Sequence, residues 1–88
     1  MDIKTPLAIT EAVATVIAEL LREQRKTSLQ LSEDAGIPRA TLSRRLNHYS
    51  PFTTDELERI GRVLNTPVSV IIARAEGITR AVNEGISA

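Results

Sequence analysis

Residues 36–48 read GIPRATLSRRLNH, and the way this stretch turns the chain decides the fold. Gly36 suits the position just after a helix, where a left-handed conformation is costly for any residue with a Cβ atom. Pro38 has no backbone N–H to satisfy and suits the first position of a new helix. The stretch therefore predicts two helices joined by a tight turn.

The two predicted helices have clear limits. The first begins at a capping box, Thr27-Ser28-Leu29-Gln30, and runs to about Ala35. The second covers residues 38–47, where Leu42 and Leu46, four positions apart, form the apolar stripe that docks it. A short connection that contains glycine, between helices of this length, indicates a helix-turn-helix motif.

A first helix precedes this motif. Helical spacing of apolar residues predicts an amphipathic helix that starts at Thr5-Pro6 or Thr10-Glu11 and ends near Arg25 or Lys26. Its closing cations suit the negative end of the helix dipole. They are Arg22, Arg25 and Lys26.

Two more helices follow the motif. A second capping box, Thr53-Thr54-Asp55-Glu56, opens a fourth helix, and Asn65 suits a left-handed end. Thr66-Pro67 opens a fifth. Helical spacing continues to Ile86, but Gly77 weakens the case for one unbroken helix, so residues 78–88 are either a tail or a helix extension beyond a domain of residues 1–77.

The composition limits the function. A chain of 88 residues suits one domain, and its 42% hydrophobic residues are almost all aliphatic, which favours packed helices. Tyr49 and Phe52, its only aromatic residues, are expected to cover the core rather than to stack on bases. No cysteine and one histidine leave no disulfide, metal site or catalytic cluster to propose. With no signal peptide or membrane span evident, we expect a cytoplasmic protein that is not an enzyme.

The charge is balanced in total but uneven along the chain. Eleven basic residues match eleven acidic ones. Between Ala35 and Thr54, however, there are three arginines and no Asp or Glu. A local basic surface of this kind favours a polyanionic partner, since any carboxylate there would face the phosphates.

The outward face of the third helix carries groups that read DNA. Arg39 and Arg44 are the best candidates for bidentate contact with O6 and N7 of guanine in the major groove. Ala40 can approach a thymine methyl group, and Thr41 or Ser43 can contact phosphate or a base edge. The competing interpretation is a merely solvated arginine face.

Two residues outside this face are weaker candidates. Ser28 begins the second helix, whose backbone N–H groups and positive dipole end can face a phosphate. His48, beside Asn47 and Tyr49, is either an ordinary loop residue or a phosphate contact.

With these motifs in place, the sequence resembles the Cro and lambda-repressor class of helix-turn-helix regulators over about residues 14–73. The resemblance rests on LSEDAGI at Leu31–Ile37, RATLSR at Arg39–Arg44, and the segment Leu57–Val68. PRATLSRRLN followed by PFTTDELERIGRVLN is also similar to small regulators of actinobacteria and their phages. The resemblance implies an all-α, five-helix lambda-repressor-like domain.

The resemblance also implies roles for individual positions. The base-reading residues of the class fall on Arg39, Ala40 and Arg44. Its backbone-contacting residues fall on Ser28, Thr41, Ser43 and Asn47. Two departures stand out: Ser28 replaces the usual Gln, and Arg45-Leu46 replaces Leu-Glu. The second removes the usual buried acidic partner, so Arg45 is expected to turn toward the DNA backbone.

The expected function is sequence-specific binding of a double-stranded DNA operator by a small transcriptional regulator, phage repressor or Cro-like, without cofactor, metal or small-molecule ligand. A homodimer is expected because one module reads few base pairs. It would pair through the tail from Ile78 to Ile86 or through the fifth helix, unless the tail folds onto its own core. The alternatives are a protein-interaction module on the same fold, antitoxin-like or anti-regulatory, and an architectural binder that reads no sequence.

Overall fold

The computed structural model describes the backbone of residues 8–87 and the side chains of residues 8–85. This range contains five α-helices and no strand, which confirms the predicted fold class. The helices are α1 (Ile9–Glu23), α2 (Ser28–Ala35), α3 (Arg39–Leu46), α4 (Thr54–Val63) and α5 (Val68–Ser87). None of them has the length and hydrophobicity that crossing a membrane requires.

The start of α1 differs from both predicted starts. Ala8 is the residue before the helix, and its N–H donates to Glu11 Oε1 at 3.1 Å. Glu11 is therefore the third residue of α1, and its side chain completes the first turn. The helix begins two residues earlier than a helix capped by Thr10 would begin. Thr5-Pro6 lies outside the described residues.

The end of α1 is fastened to the end of α4. Lys26 Nζ donates to the Val63 carbonyl at 3.2 Å, and Gln24 Nε2 donates to the Leu64 carbonyl at 2.7 Å. Lys26 thus serves the exposed carbonyls of a neighbouring helix rather than those of its own. Arg22 does lie in the last turn of α1, as predicted.

The core is aliphatic, as the composition indicates. The large side chains that are completely buried come from all five helices and from the turn before α3. They are Val16, Ile17, Leu31, Ile37, Leu42, Ile60, Leu64 and Ile71. Burial of each such side chain is worth about 1.5–3 kcal/mol, so this core stabilises the packing of the five helices against one another.

The last helix continues without a break past Gly77. It runs for 20 residues, and its N-terminal half is held beside the end of α1 by Arg74, whose Nη2 contacts Glu19 at 3.3 Å and Glu23 at 3.0 Å. Ile78 packs against the core, whereas Val82 is largely exposed. Residues 78–87 are therefore a helix extension, partly folded onto the core; the Ile86 side chain lies outside the described range.

Candidate nucleic-acid interface

The turn between α2 and α3 has the predicted geometry. Thr27 Oγ1 accepts from the Gln30 N–H at 3.1 Å, and Gln30 Oε1 accepts from the Thr27 N–H at 2.8 Å, so the capping box is complete. Gly36 has a φ of 67°, the left-handed conformation expected at a helix end. The buried Ser32 hydroxyl donates to the Ile37 carbonyl and fixes the chain as it leaves the turn.

The third helix is docked by the two predicted leucines. Leu42 is 1% exposed and Leu46 packs against the core cluster. The opposite surface is open to solvent, and Thr41 lies half-buried beside it. The exposed predicted contact residues on and just after α3 are Arg39, Ala40, Ser43, Arg44, Asn47 and His48.

An open groove of about 670 Å³ lies between the start of α2 and this outward face. Ser28 and Leu29 form one side, and α3 forms the other through Arg39, Ser43 and Asn47. The structure thus brings Ser28, at the positive end of the α2 dipole, to the same groove as the α3 residues. Leu29 is an exposed leucine in this groove. Sequence reasoning missed it because no local pattern marks this leucine as part of a binding surface.

Asn47 and His48, two residues predicted to contact the DNA backbone, lie at the end of α3 in defined conformations. Asn47 Nδ2 donates to the Ser43 carbonyl at 2.8 Å and reaches Ser43 Oγ at 3.3 Å. His48 has a φ of 68°, which ends the helix, and its side chain is exposed. Both residues therefore lie at the rim of the outward face.

The arginines divide into two groups by their partners. Arg45, Arg59, Arg62 and Arg74 each form an ion pair with an acidic side chain. Within residues 8–87, the other five arginines form none, and two of these five, Arg39 and Arg44, lie on α3; the remaining three are Arg22, Arg25 and Arg80. Two unpaired guanidinium groups on an exposed helix face, with no carboxylate between residues 36 and 54, make this the basic surface that the sequence predicted.

The expectation that Arg45 lacks an acidic partner is wrong. Its Nε and Nη2 donate to the two carboxylate oxygens of Glu56 at 2.9 and 3.0 Å, and its Nη1 donates to Ser50 Oγ at 2.6 Å. The acidic partner is present but comes from α4, eleven residues along the chain. Arg45 therefore ties the end of α3 to the start of α4 instead of turning toward DNA.

The Glu56 carboxylate has two roles, because it pairs with Arg45 and also caps α4. Its side chain is 9% exposed, and its Oε1 also accepts from the Thr53 N–H at 3.0 Å, completing the capping box of α4. The hydrogen bonds from Arg45 lower the pKa of the Glu56 carboxyl from its ordinary value of 4.5, burial opposes this, and the Thr53 backbone adds to the lowering. The capping role could be predicted from four consecutive residues, whereas the pairing with Arg45 had no local signal.

The two aromatic residues have different surroundings. Phe52 packs against the core and confirms its predicted covering role. Tyr49 is 78% exposed, so the same prediction is wrong for Tyr49. Because the Tyr49 N–H donates to the Arg44 carbonyl at 2.9 Å, the backbone ends α3 there and leaves the ring outside the core.

Comparisons with known proteins agree with this geometry. A family model described as helix-turn-helix matches residues 18–71. A crystal structure of the clp gene regulator ClgR from Corynebacterium glutamicum superposes with a TM-score of 0.82 at 16% identity, covering 94% of this chain and 90% of that one. No curated protein matches the sequence. At that identity the structural likeness establishes the fold alone.

Proposed function

Because the chain belongs to the helix-turn-helix family, we propose that it binds double-stranded DNA in a sequence-specific manner as a small transcriptional regulator. The observation that carries the proposal is the exposure of Arg39 and Arg44, which form no ion pair within residues 8–87, on a short helix that Leu42 docks to the core. The likeness to a gene regulator of the same fold supports it.

In this proposal α3 enters the major groove. The fork of an arginine side chain matches O6 and N7 of guanine, and each such bidentate contact discriminates by about 1–3 kcal/mol. Arg39 and Arg44 supply these contacts, and Ala40 between them leaves room for a thymine methyl group. The face is otherwise free of large side chains that would keep the helix from the base edges.

The residues around this face position the protein on the backbone. Ser28 presents the start of α2 to a phosphate, where backbone N–H groups and the helix dipole both favour an anion. The other proposed backbone contacts are Thr41, Ser43, Asn47 and His48. Contacts of this kind fix register and add affinity without sequence preference.

The form of regulation that the resemblance favours is a Cro-like repressor that acts as a homodimer. One module reads few base pairs, and two copies on half-sites about 34–36 Å apart multiply the specificity. The α5 extension beyond Ile78 is the first candidate for the pairing surface, and the rest of α5 is the second.

Selection of bound duplexes from a random pool tests the proposal. We expect one enriched motif with guanine at the positions that Arg39 and Arg44 read, repeated as two half-sites of one helical turn spacing. A pool that enriches no motif at low salt would show that the outward face of α3 does not read sequence.

A further inference from the structure

Another paired arginine, Arg59 of α4, holds the turn that precedes α3. Its Nη1 donates to the Ala35 carbonyl at 3.2 Å and to the Gly36 carbonyl at 3.0 Å. Its Nη2 lies 2.9 Å from Asp55 Oδ2 one turn back on α4. The carbonyls at the end of α2 have no donors within their own helix, so Arg59 supplies a partner that the turn otherwise lacks.

The Arg59 side chain is partly buried, with 37% of its surface exposed. Its Nε is buried and has no hydrogen-bond partner within the described part of the chain. Three contacts at the guanidinium tip, to two carbonyls and one carboxylate, then leave it little freedom. Arg62, on the same helix, differs in that it pairs with Glu58 on the open surface, where the two side chains are 72% and 58% exposed.

Helix α4 thus holds α3 at both ends. Arg59 fastens the turn before α3, and Glu56, three residues earlier on α4, fastens Arg45 in the last turn of α3. The recognition helix has only eight residues, so two such contacts constrain both its position and its tilt. Neither Glu56 nor Arg59 belongs to the outward face that carries Arg39 and Arg44.

We propose that Glu56 and Arg59 are positioning residues for base reading, which rests on the proposed function. A bidentate contact between arginine and guanine depends on the angle of the helix in the groove, whereas phosphate contacts tolerate small displacements. Loosening either end of α3 therefore weakens sequence preference more than it weakens general affinity for DNA. Residues behind a binding site have this effect when they fix the orientation of the contacting side chains without touching the ligand themselves.

The test compares two affinities for each variant: that for the duplex enriched from the random pool and that for a shuffled duplex of the same composition. The variants are Glu56→Gln and Arg59→Gln, with Arg59→Lys as a milder change that keeps the charge and the stem but not the fork. Arg62→Gln is the matched control, since it breaks an exposed pair on the same helix. Thermal melts followed by circular dichroism identify a temperature at which every variant is folded, and all affinities are measured at that temperature.

We expect the preference ratio to fall about tenfold for Glu56→Gln and Arg59→Gln and less for Arg59→Lys. The affinity for shuffled duplex and its salt dependence should stay within about twofold of wild type, and Arg62→Gln should leave the ratio unchanged. Equal losses for both duplexes, or an unchanged ratio, would overturn the positioning role alone. A wild-type chain that enriches no duplex would overturn the proposed function and this inference together.

Discussion

Arg44 and Arg45 are neighbours in the sequence and have different environments on α3. Arg44 is exposed and forms no ion pair within residues 8–87, whereas Arg45 is engaged by Glu56 and Ser50. A helix turns by about 100° per residue, so adjacent side chains point in different directions. The same residue type therefore supplies a free cation at one position and a structural tie at the next.

The Arg44→Ala variant tests base reading at this scale. We expect it to lose about 1–3 kcal/mol of binding free energy for the enriched duplex and to relax preference at one position of the half-site. Fluorescence anisotropy with single-base variants of the duplex measures both effects, and Arg62→Ala, which removes an exposed arginine from α4, serves as the control. An equal loss for every duplex would instead indicate a phosphate contact and favour the architectural alternative.

The ion pair between Arg45 and Glu56 predicts a pH dependence of stability. The Glu56 pKa is lower in the folded chain than its ordinary value of 4.5, chiefly because Arg45 donates hydrogen bonds to the ionised form. The stabilisation is therefore fully present above about pH 5 and is lost as the pH falls through the folded pKa. We expect the melting temperature of wild type to exceed that of Glu56→Gln at neutral pH, and the difference to narrow as the pH falls below the ordinary carboxyl pKa of 4.5.

Thermal melts followed by circular dichroism across this range check the prediction. A Glu58→Gln variant, which removes an exposed carboxylate from the same helix, should show a small and nearly constant difference from wild type, because exposed pairs contribute about 0–1 kcal/mol. A gap for Glu56→Gln that widens on acidification would contradict the assignment.

At the scale of elements, two glycines in α4 and α5 have opposite surroundings. A Cβ atom on Gly61 would lie 2.6 Å from the Thr66 carbonyl oxygen, because the chain folds back there and the Thr66 N–H donates to the Gly61 carbonyl at 2.8 Å. A Cβ atom on Gly77 would meet nothing within 4 Å. Gly61 therefore permits the turn between the helices, whereas Gly77 only weakens the helix that contains it.

Alanine substitutions separate these two cases. We expect Gly61→Ala to lower the free energy of unfolding by about 1–3 kcal/mol, since backbone must move to relieve the contact. Gly77→Ala should raise it by about 0.5–1 kcal/mol, the usual gain when alanine replaces a helical glycine. Urea denaturation measures both, and a destabilised Gly77→Ala chain would mean that another surface packs closely against α5.

At the scale of the whole molecule, a chain with no net charge presents a basic interface. Acidic side chains of α1 and α4 form ion pairs with arginines, whereas the outward face of α3 carries no acidic residue. The dimensions are 41 × 24 × 23 Å, with α5 as the longest helix. Net charge alone would argue against a nucleic-acid partner, and the distribution of charge argues for one.

A salt titration tests this distribution. Two guanidinium groups of each chain enter the counterion atmosphere of the DNA, so affinity should fall with salt, by at most about tenfold per chain between about 50 mM and 200 mM, which is the loss for two fully neutralised phosphates. Binding that is absent at the lowest salt would favour the protein-interaction alternative. The molecular mass of the complex, measured at the same salt concentrations, reports whether one or two chains bind each duplex.

Much of the fold and part of the candidate site could be predicted from local sequence. The structure confirms the predicted capping boxes at Thr27 and Thr53 and the predicted left-handed conformations of Gly36 and Asn65. Each of these features depends on groups only a few positions apart in the sequence. The outward exposure of Arg44 was also correct, because it follows from helical period. The base-reading roles stay predictions, since no bound DNA tests them.

The amino-acid sequence by itself therefore determined five helices, the turn at Gly36 and the basic face of α3, all of which arise from short-range backbone and charge patterns. Only the tertiary structure decided where Arg45 points and which side chains hold α3. Glu56 lies eleven residues from Arg45, and Arg59 lies 23 residues from Gly36. No local pattern encodes such pairings, because they exist only once α4 has packed against the turn.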